Sequence, residues 1–350
     1  MLVHVSFRLN GKAYDRSSLE KAAQQWQTAS DEELQGLGRF ITDWLSDDDH
    51  LAIHTSGSTG KPKEIHMPKT AMCASAVRTA VFFKVSEGAS ALLCLPIRYI
   101  AGKMMLVRAL VLGWHLDIIP PKTKLHIERK YDFTALIPLQ AKVSFDLLGQ
   151  FKTVLIGGAP ISSNLRQRIG KKYNHCIETY GMTETLTHVA TRAVREPALP
   201  FRAMPGIGIS TDKNSCLLIV VPQVPLSPIS TQDIVKLEHD YGFTLLGRRD
   251  WVINSGGVKI FPEVLEKIIA PYITFPFFFT GLPDAALGEK LVLLVEAATL
   301  EKEAIMAIAQ QHLDATKHHV PKAVFCMTAL SYTATGKVDR LASRKIALDL

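Results

Sequence analysis

The sequence between residues 51 and 63 reads LAIHTSGSTGKPK, a short apolar strand followed by a loop of small residues. The loop, Thr55 to Lys63, carries two glycines, four hydroxyl groups and two lysines within nine residues. Small residues let the backbone approach an anion, hydroxyl and N–H groups bind its oxygens, and lysines neutralise its charge. The stretch therefore predicts a polyphosphate-binding loop at the end of a strand. It is not a P-loop of the GxxxxGK[ST] type, because Gly57 and Gly60 are three residues apart and Pro62 follows Lys61.

Strands and helices alternate after this loop, which is typical of a layered, largely parallel α/β sheet. Strand-like runs lie at 91–96, 115–119, 133–137, 153–156 and 176–179, and helix-like segments lie at 69–83, 102–112, 140–148 and 163–171. Ligands bind at the carboxyl ends of strands in such sheets. Unusual loops follow His54, Ile156 and Thr179, so we expect these three loops to converge on one site.

The pattern changes after residue 195, where six prolines punctuate short β-like runs up to residue 232. This change indicates a small β-rich subdomain. A second unit follows, with helix-like segments at 262–269 and 302–313 and strand-like segments at 290–297 and 324–328. We therefore predict a large layered α/β domain over residues 1–249, including the β-rich subdomain, and a small α+β domain over residues 250–350.

The composition favours a globular enzyme. Of the 350 residues, 47% are apolar and 21% are charged, and no uninterrupted apolar run reaches the ~18 residues of a membrane span. Five scattered cysteines argue against a disulfide framework or a structural zinc site. The net charge of +7 suits anionic ligands, but no basic run or aromatic RNA-binding motif supports a nucleic-acid partner. The first residues lack a signal-peptide pattern, so we expect a cytoplasmic protein.

The string Thr55–Lys63 resembles the [ST]SG[ST]TGxPK phosphate loop of the adenylate-forming superfamily, which includes acyl- and aryl-CoA synthetases, adenylation domains and luciferases. Further segments resemble motifs of that superfamily in the same order: YGMTE at 180–184, TQD at 231–233, GRRD at 247–250, NSGGVK at 254–259 and YTATGKVDR at 332–340. Two features depart from the usual pattern: Gln232 replaces a glycine, and only 54 residues precede the loop. The segments IGGAP at 156–160 and YGMTET at 180–185 are most similar to those of o-succinylbenzoate–CoA ligases of menaquinone biosynthesis.

The resemblance implies a role for individual residues in an ATP-dependent reaction. Lys337 is the implied catalytic lysine, which bridges the carboxylate and the phosphate, and Thr183 binds the α-phosphate. Glu184 is the implied Mg²⁺ ligand. The resemblance also implies a larger nucleotide-binding set, in which Tyr180 stacks on adenine and the last two residues hold the ribose hydroxyls: Thr55, Ser56, Gly57, Ser58, Thr59, Gly60, Lys61, Lys63, Gly157, Gly158, Ala159, Tyr180, Gly181, Asp233 and Arg248.

Asp250 is, by the same resemblance, the hinge of a mobile C-terminal domain. One orientation presents Lys337 for adenylation, and the other turns the loop 255–257 toward the acyl-adenylate and opens a path for CoA. The acid is expected against residues 96–103. An aromatic acid with a second carboxylate needs an aromatic wall, here Tyr99, and a cation, here Arg98 or Lys103.

The sequence as a whole predicts an acid–CoA ligase that uses ATP, Mg²⁺ and coenzyme A. Such an enzyme forms an acyl-adenylate and pyrophosphate and then transfers the acyl group to the CoA thiol, and the expected acid is 2-succinylbenzoate. The alternatives are a ligase of another aryl or fatty acid, an adenylation enzyme that loads a carrier protein, and a degenerate nucleotide-binding protein without activity. A homodimer is an open possibility.

Overall fold

The computed structural model describes residues 3–54, 63–239, 241–297, 301–332 and 338–348. The chain divides into two compact units. The first comprises Met1–Ser210, Leu218–Ser230 and Glu238–Phe243, and the second comprises Thr211–Leu217, Thr231–Leu237 and Thr244–Leu350. Because residues 211–243 are shared between the two units, the predicted boundary after residue 249 stays a prediction.

Helices and strands alternate along the first unit. Its helices are α1 Arg16–Gln27, α2 Glu32–Leu45, α3 Lys69–Phe83, α4 Ile100–Leu112, α5 Pro138–Val143 and α6 Ser163–Lys172. Its strands are β1 Arg8–Leu9, β2 Lys12–Ala13, β3 His50–His54, β4 Glu64–Pro68, β5 Ser90–Leu93, β6 His115–Ile118, β7 Tyr131–Leu136, β8 Phe151–Ile156, β9 Cys176–Gly181, β10 His188–Ala193 and β11 Phe201–Ala203. The segment divided between the units adds β12 Gly208–Thr211, β13 Cys216–Val220, β14 Ile229–Glu238 and β15 Gly242–Arg248.

The main sheet of the first unit runs in the order β11-β10-β9-β8-β7-β5-β6-β1-β2. Its six central strands, from β9 to β1, are parallel neighbours, whereas β10, β11 and β2 are added antiparallel at the two sides. This arrangement confirms the predicted α/β fold class with a largely parallel sheet.

The strand before the phosphate loop does not join this sheet. β3 and β4 form a separate antiparallel hairpin, with His50 opposite Pro68 and His54 opposite Glu64. Along β3 only Leu51 and Ile53 are buried, which is the alternation of a strand with one covered face rather than of a strand buried in a parallel sheet. The strand that leads into the phosphate loop therefore lies outside the main sheet, and the convergence of this loop with the other two stays a prediction.

Helices cover both faces of the main sheet. One core cluster joins Leu92 and Val154 of the sheet to Ala141 of α5 and Leu165 of α6. Phe133 of β7 pairs with Thr153, the residue before Val154, so its side chain points to the opposite face. There its ring packs against that of Phe83, at the end of α3, with centroids 6.1 Å apart.

The second unit contains, besides its share of residues 211–248, a five-stranded sheet with helices on both faces. Its elements are β16 Ile253–Ser255, β17 Val258–Ile260, α7 Pro262–Ile269, β18 Phe277–Asp284, β19 Gly288–Glu296, α8 Lys302–His312, β20 Ala323–Met327 and α9 Arg340–Leu348. The strand order is β17-β16-β19-β18, and β20 also pairs with β19. Helices α7 and α8 pack on one apolar cluster, and α9 packs on a second. Within the described ranges of the whole chain, no helix is long and apolar enough to cross a bilayer.

Candidate active site

The loops that follow β8 and β9 lie side by side at the carboxyl edge of the main sheet. The two strands are parallel neighbours, with Ile156 opposite Glu178. A Cβ atom on Gly157 would overlap the hydroxyl oxygen of Thr179, which donates to the carbonyl of Ile156 at 3.4 Å. Gly158 has a φ of 79°, in the left-handed region that glycine enters at no cost. Two of the three predicted loops therefore converge. The close approach of residue 157 to the hydroxyl of Thr179 requires a glycine at 157.

The turn between β9 and β10 carries the predicted magnesium and phosphate residues. Its residues 183–185 form one 3-10 turn, fixed by the Thr185 hydroxyl, which accepts from the N–H of Met182 at 2.9 Å and lies 2.7 Å from the carbonyl of Thr187. Thr183 is buried and Glu184 is half-buried. Within the described part of the chain, Glu184 has no hydrogen-bond or ion-pair partner, so its carboxylate is available to a ligand.

Tyr180, the predicted adenine-stacking residue, lies at the end of β9 in an aromatic cluster. Its ring packs edge-on against Phe243, with centroids 5.2 Å apart, and against Phe201 at 5.8 Å. The side chain is half-buried. These two contacts fix the direction of the tyrosine ring and leave part of its surface exposed.

The predicted ribose residues lie together in the second unit. The guanidinium of Arg248 is 3.8 Å from the carboxylate of Asp233 and 3.2 Å from that of Asp250. The backbone N–H of Arg248 donates to Glu263 at 3.0 Å. The predicted hinge residue Asp250 is thus an ion-pair partner of a predicted nucleotide-binding residue, and the roles of all three remain predictions.

The segment predicted to line the acid pocket is only partly buried. Arg98 is exposed, and its guanidinium lies over the ring of Tyr99, 4.9 Å from the centroid. Lys103 is half-buried in the first turn of α4, and its ammonium group lies over the ring of Phe40 of α2 at 5.8 Å. Burial lowers the pKa of Lys103, and Asp43 opposes this effect. Their role in acid binding stays a prediction.

Two of the predicted groups lie outside the described residues. These are Lys337 and most of the phosphate loop, namely Thr55, Ser56, Gly57, Ser58, Thr59, Gly60 and Lys61. Lys63 is described and exposed, directly before β4. The hairpin of β3 and β4 therefore brackets the predicted phosphate loop.

Sequence reasoning missed Arg108, a buried arginine of the first unit. Its residue surface is only 2% exposed, and one guanidinium nitrogen donates to the hydroxyl of Thr187 at 2.5 Å. Its Nε atom is buried without a partner, and no carboxylate pairs with it among the described residues. Burial lowers the pKa of Arg108 to about 9, so the group is still charged at neutral pH.

A signal for Arg108 was present in the sequence. Helix α4, IAGKMMLVRALVL, is apolar on almost every face, and such a helix is buried. A charge in the middle of a buried helix is costly unless it is paired or has a ligand to bind. Thr187, which contacts Arg108, lies only three residues after Glu184, so Arg108 binds the segment of the chain that carries the predicted magnesium ligand.

Comparison with known proteins agrees with these features. The profile of the AMP-binding enzyme family matches residues 8–220. A probable 2-succinylbenzoate–CoA ligase of Mycobacterium tuberculosis is 30% identical over 345 residues, which cover 89% of this chain and 88% of that protein. An acyl-CoA synthetase (AMP-forming)/AMP-acid ligase II-like protein of Dyadobacter fermentans has a solved structure that is 31% identical, with a TM-score of 0.59 and coverage of 93% of this chain and 98% of that one.

Longer proteins share the fold at lower identity. The o-succinylbenzoate coenzyme A synthetase MenE of Bacillus subtilis, solved with ATP and magnesium, is 19% identical with a TM-score of 0.69. The alignment covers 84% of this chain and 69% of that one. The predicted family, fold class and enzyme class are confirmed: the chain belongs to the AMP-binding enzyme family and is an adenylate-forming acid–CoA ligase.

Proposed function

We propose that the protein converts 2-succinylbenzoate to its CoA thioester, with ATP as the second substrate and Mg²⁺ as the cofactor, as a step of menaquinone biosynthesis. The acid first displaces pyrophosphate from ATP to give an acyl-adenylate, and the CoA thiol then displaces AMP. The single observation that carries the choice of acid is Arg108, a buried arginine without a carboxylate partner among the described residues.

The residues of the β9–β10 turn fit a magnesium–nucleotide complex. Magnesium is usually held by one or two carboxylates together with phosphate oxygens and water, and Glu184 offers one carboxylate without a competing partner in the described chain. The buried hydroxyl of Thr183, next in sequence, is a donor for a phosphate oxygen. When bound, the metal neutralises phosphate charge. The protein supports this by fixing the turn through the side chain of Thr185.

The acid side of the proposal follows from charge. An acid with two carboxylates keeps one of them charged after the other is adenylated, and that remaining charge needs a cation away from solvent. Arg108 is such a cation, and Arg78 of α3 is a second half-buried one. Burial lowers the pKa of Arg78 as well. A fatty acid has no second carboxylate and would leave the charge of Arg108 without a partner.

The names of the relatives support this assignment. The Mycobacterium tuberculosis protein is named for 2-succinylbenzoate, as is a Bacillus cytotoxicus protein that is 23% identical over 84% of this chain. A cytoplasmic location belongs to the same proposal, since ATP and CoA are cytoplasmic substrates. The homodimer is likewise part of this proposal.

The test is CoA-ester formation, followed by mass spectrometry, with ATP, Mg²⁺, CoA and a panel of acids. The panel contains 2-succinylbenzoate, two analogues that each lack one of its carboxylates, simple benzoates and fatty acids. We expect the CoA ester of 2-succinylbenzoate with release of AMP and pyrophosphate. A Lys337→Ala variant should lose about a hundredfold to a thousandfold in the adenylation step.

The matched variant for the acid is Arg108→Met, which keeps the length and removes the charge. It should raise the KM for 2-succinylbenzoate by at least ~30-fold, the lower end for loss of one partner of a buried charge pair. The KM for the best monocarboxylate should change little. A preference for a fatty acid, or an Arg108→Met variant with unchanged acid kinetics, would refute the assignment. If the acyl group were transferred only to a carrier protein, that protein would replace CoA as the acceptor in the proposal.

A further inference from the structure

His188, the first residue of β10, contacts Thr187, the residue whose hydroxyl accepts from Arg108. It is buried, with 8% of its surface exposed. Its Nδ1 atom lies 3.1 Å from the hydroxyl of Thr187, and its Nε2 atom lies 3.4 Å from the hydroxyl of Thr79 on α3. The imidazole also packs edge-on against the ring of Phe83, with centroids 5.7 Å apart. The ring therefore joins α3 to the group that binds Arg108.

The two ends of this chain constrain the directions of the hydrogen bonds between them. Arg108 can only donate, so the hydroxyl of Thr187 accepts at 2.5 Å and has its own proton free for Nδ1 of His188. At the other end, the hydroxyl of Thr79 donates to the carbonyl of Ser75 at 3.0 Å, which can only accept. The Thr79 oxygen must therefore accept from Nε2 of His188. This pattern places a proton on Nε2, and with the Thr187 hydroxyl donating to Nδ1 the imidazole is neutral.

The surrounding charges agree with a neutral ring. Burial, and then the positive charges of Arg108 on α4 and Arg78 on α3, lower the pKa of His188 well below its ordinary value. A protonated ring would place a third positive charge beside two arginines and would turn Nδ1 into a second donor. The proton of the Thr187 hydroxyl would then lose Nδ1 as its acceptor.

We propose that neutral His188, in its Nε2–H form, is a positioning residue that orients the Thr187 hydroxyl and thereby holds Arg108 toward the charged group of the acid substrate. This inference rests on the proposed function for the identity of the acid, but not for the hydrogen-bond chain. Arg108 has no carboxylate partner in the described chain to fix its direction, so its hydrogen bond to the hydroxyl of Thr187 holds it in place. An arginine fixed in advance loses less freedom when it binds its anion.

The first test reads the ring directly. Nitrogen NMR of the ¹⁵N-histidine-labelled enzyme, with the His188 signals identified by their absence in a His188→Gln variant, reports the tautomer and the charge of the ring. We expect a proton on Nε2, a bare Nδ1, and no titration across the neutral range. A proton on Nδ1, or a ring that becomes charged near its ordinary pKa, would overturn the hydrogen-bond chain.

The second test reads the acid. His188→Phe keeps an aromatic ring next to Phe83 and removes both hydrogen bonds, whereas His188→Gln retains an acceptor and a donor. We expect His188→Phe to raise the KM for 2-succinylbenzoate about tenfold, the scale of one hydrogen bond. The KM for ATP and for a monocarboxylate analogue should change less than about twofold, and His188→Gln should recover part of the loss.

The matched control is His175→Phe. His175 is a half-buried histidine that also packs edge-on against an aromatic ring, that of Tyr173, and its Nε2 lies 2.9 Å from the carbonyl of Leu148. Among the described residues, His175 makes no hydrogen bond or ring contact with Arg108, Thr187 or His188, so its removal should leave the acid kinetics unchanged. Equal rises of KM for all substrates in His188→Phe would show a merely structural histidine and overturn the proposal.

The two proposals fail in different ways. If 2-succinylbenzoate is not a substrate, the proposed function fails, and so does the role of His188 toward that acid. The nitrogen NMR test of the His188 tautomer still shows whether the hydrogen-bond chain exists. If 2-succinylbenzoate is a substrate and depends on Arg108 but not on His188, the proposed function stands and this inference falls.

Discussion

The buried carboxylate of Glu178 offers a quantitative test of how the first unit is held together. Glu178 lies on β9, two residues before Tyr180, and is 4% exposed. One of its oxygens accepts from Arg166 of α6 and from Arg192 of β10, each at 2.6 Å. Arg166 also lies 3.6 Å from Glu196. Glu178 thus ties a helix and a neighbouring strand to the strand that leads into the candidate site.

The perturbation is Glu178→Gln, which keeps the shape and removes the charge that both arginines share. Removing one partner of a buried ion pair costs about 3–5 kcal/mol. Because Arg166 keeps a weaker contact with Glu196, the lower end of that range is expected. For a unit of this size each kcal/mol lowers the melting temperature by about 2–4 °C, so we expect a fall of about 6–12 °C.

The matched control is Lys152→Gln. Its ion pair with Asp132 has the same 2.6 Å distance, but the lysine side chain is 82% exposed. Exposed pairs contribute about 0–1 kcal/mol, so the melting temperature of this variant should fall by no more than about 4 °C. Circular dichroism during heating measures the melting temperatures of both variants. Equal shifts in the two variants would refute the claim that burial decides the strength of the pair.

The same residue predicts a pH dependence. Burial raises the pKa of Glu178, but the hydrogen bonds and charges of Arg192 and Arg166 outweigh it, so the pKa lies below its usual value. A carboxyl group with a depressed pKa contributes stability above its unfolded pKa of about 4.3, and loses it as the pH falls through the folded pKa. The stability difference between wild type and Glu178→Gln should therefore be constant from about pH 7 to about pH 5 and shrink below about pH 4. A difference that grows in acid would contradict this reasoning.

Three further predictions concern the candidate site and the core thiols. Glu184→Gln should lower ATP–pyrophosphate exchange at least about tenfold and raise the Mg²⁺ concentration needed, while binding of metal-free ATP, measured by calorimetry, stays the same. Gly157→Ala should raise the KM for ATP because its Cβ meets the Thr179 hydroxyl, and adding Thr179→Ala should restore it; additive losses in the double variant would show another cause. Burial raises the pKa of Cys94 and Cys176 to about 12, so both thiols should react with a thiol reagent in the folded protein far more slowly than the half-buried cysteines do, as peptide mass spectrometry of the labelled enzyme would show.

Helices in both units could be predicted closely because their signals are local. The predicted helix at 69–83 coincides with α3, and the predicted helix at 262–269 coincides with α7. The hairpin of β3 and β4 could not be predicted in the same way, because its pairing joins His54 to Glu64 across a nine-residue connection. The alternation of buried Leu51 and Ile53 was too short a pattern to separate a hairpin from a strand of the main sheet.

The candidate site shows the same limit. Motif order alone assigned Asp233 and Arg248 to one function, although 14 residues separate them, and the structure places their charged groups 3.8 Å apart. The apolar pattern of α4 marks Arg108 as a buried charge, but composition and spacing could not show that it lacks a carboxylate partner in the described chain. The expected position of the acid pocket, at residues 96–103, directed attention to Arg98 and Lys103 instead.

The position of Thr187 connects the two halves of the proposed chemistry. Its backbone carbonyl is 2.7 Å from the hydroxyl of Thr185, which fixes the turn that carries Glu184, and its own hydroxyl accepts from Arg108. In the proposed chemistry, the backbone of this residue supports the nucleotide side and its side chain supports the acid side. Replacing the hydroxyl can change the acid contact while the turn keeps its hydrogen bonds. In this arrangement α4 and the start of β10 can adapt to different acids while the residues proposed to bind phosphate and magnesium stay the same.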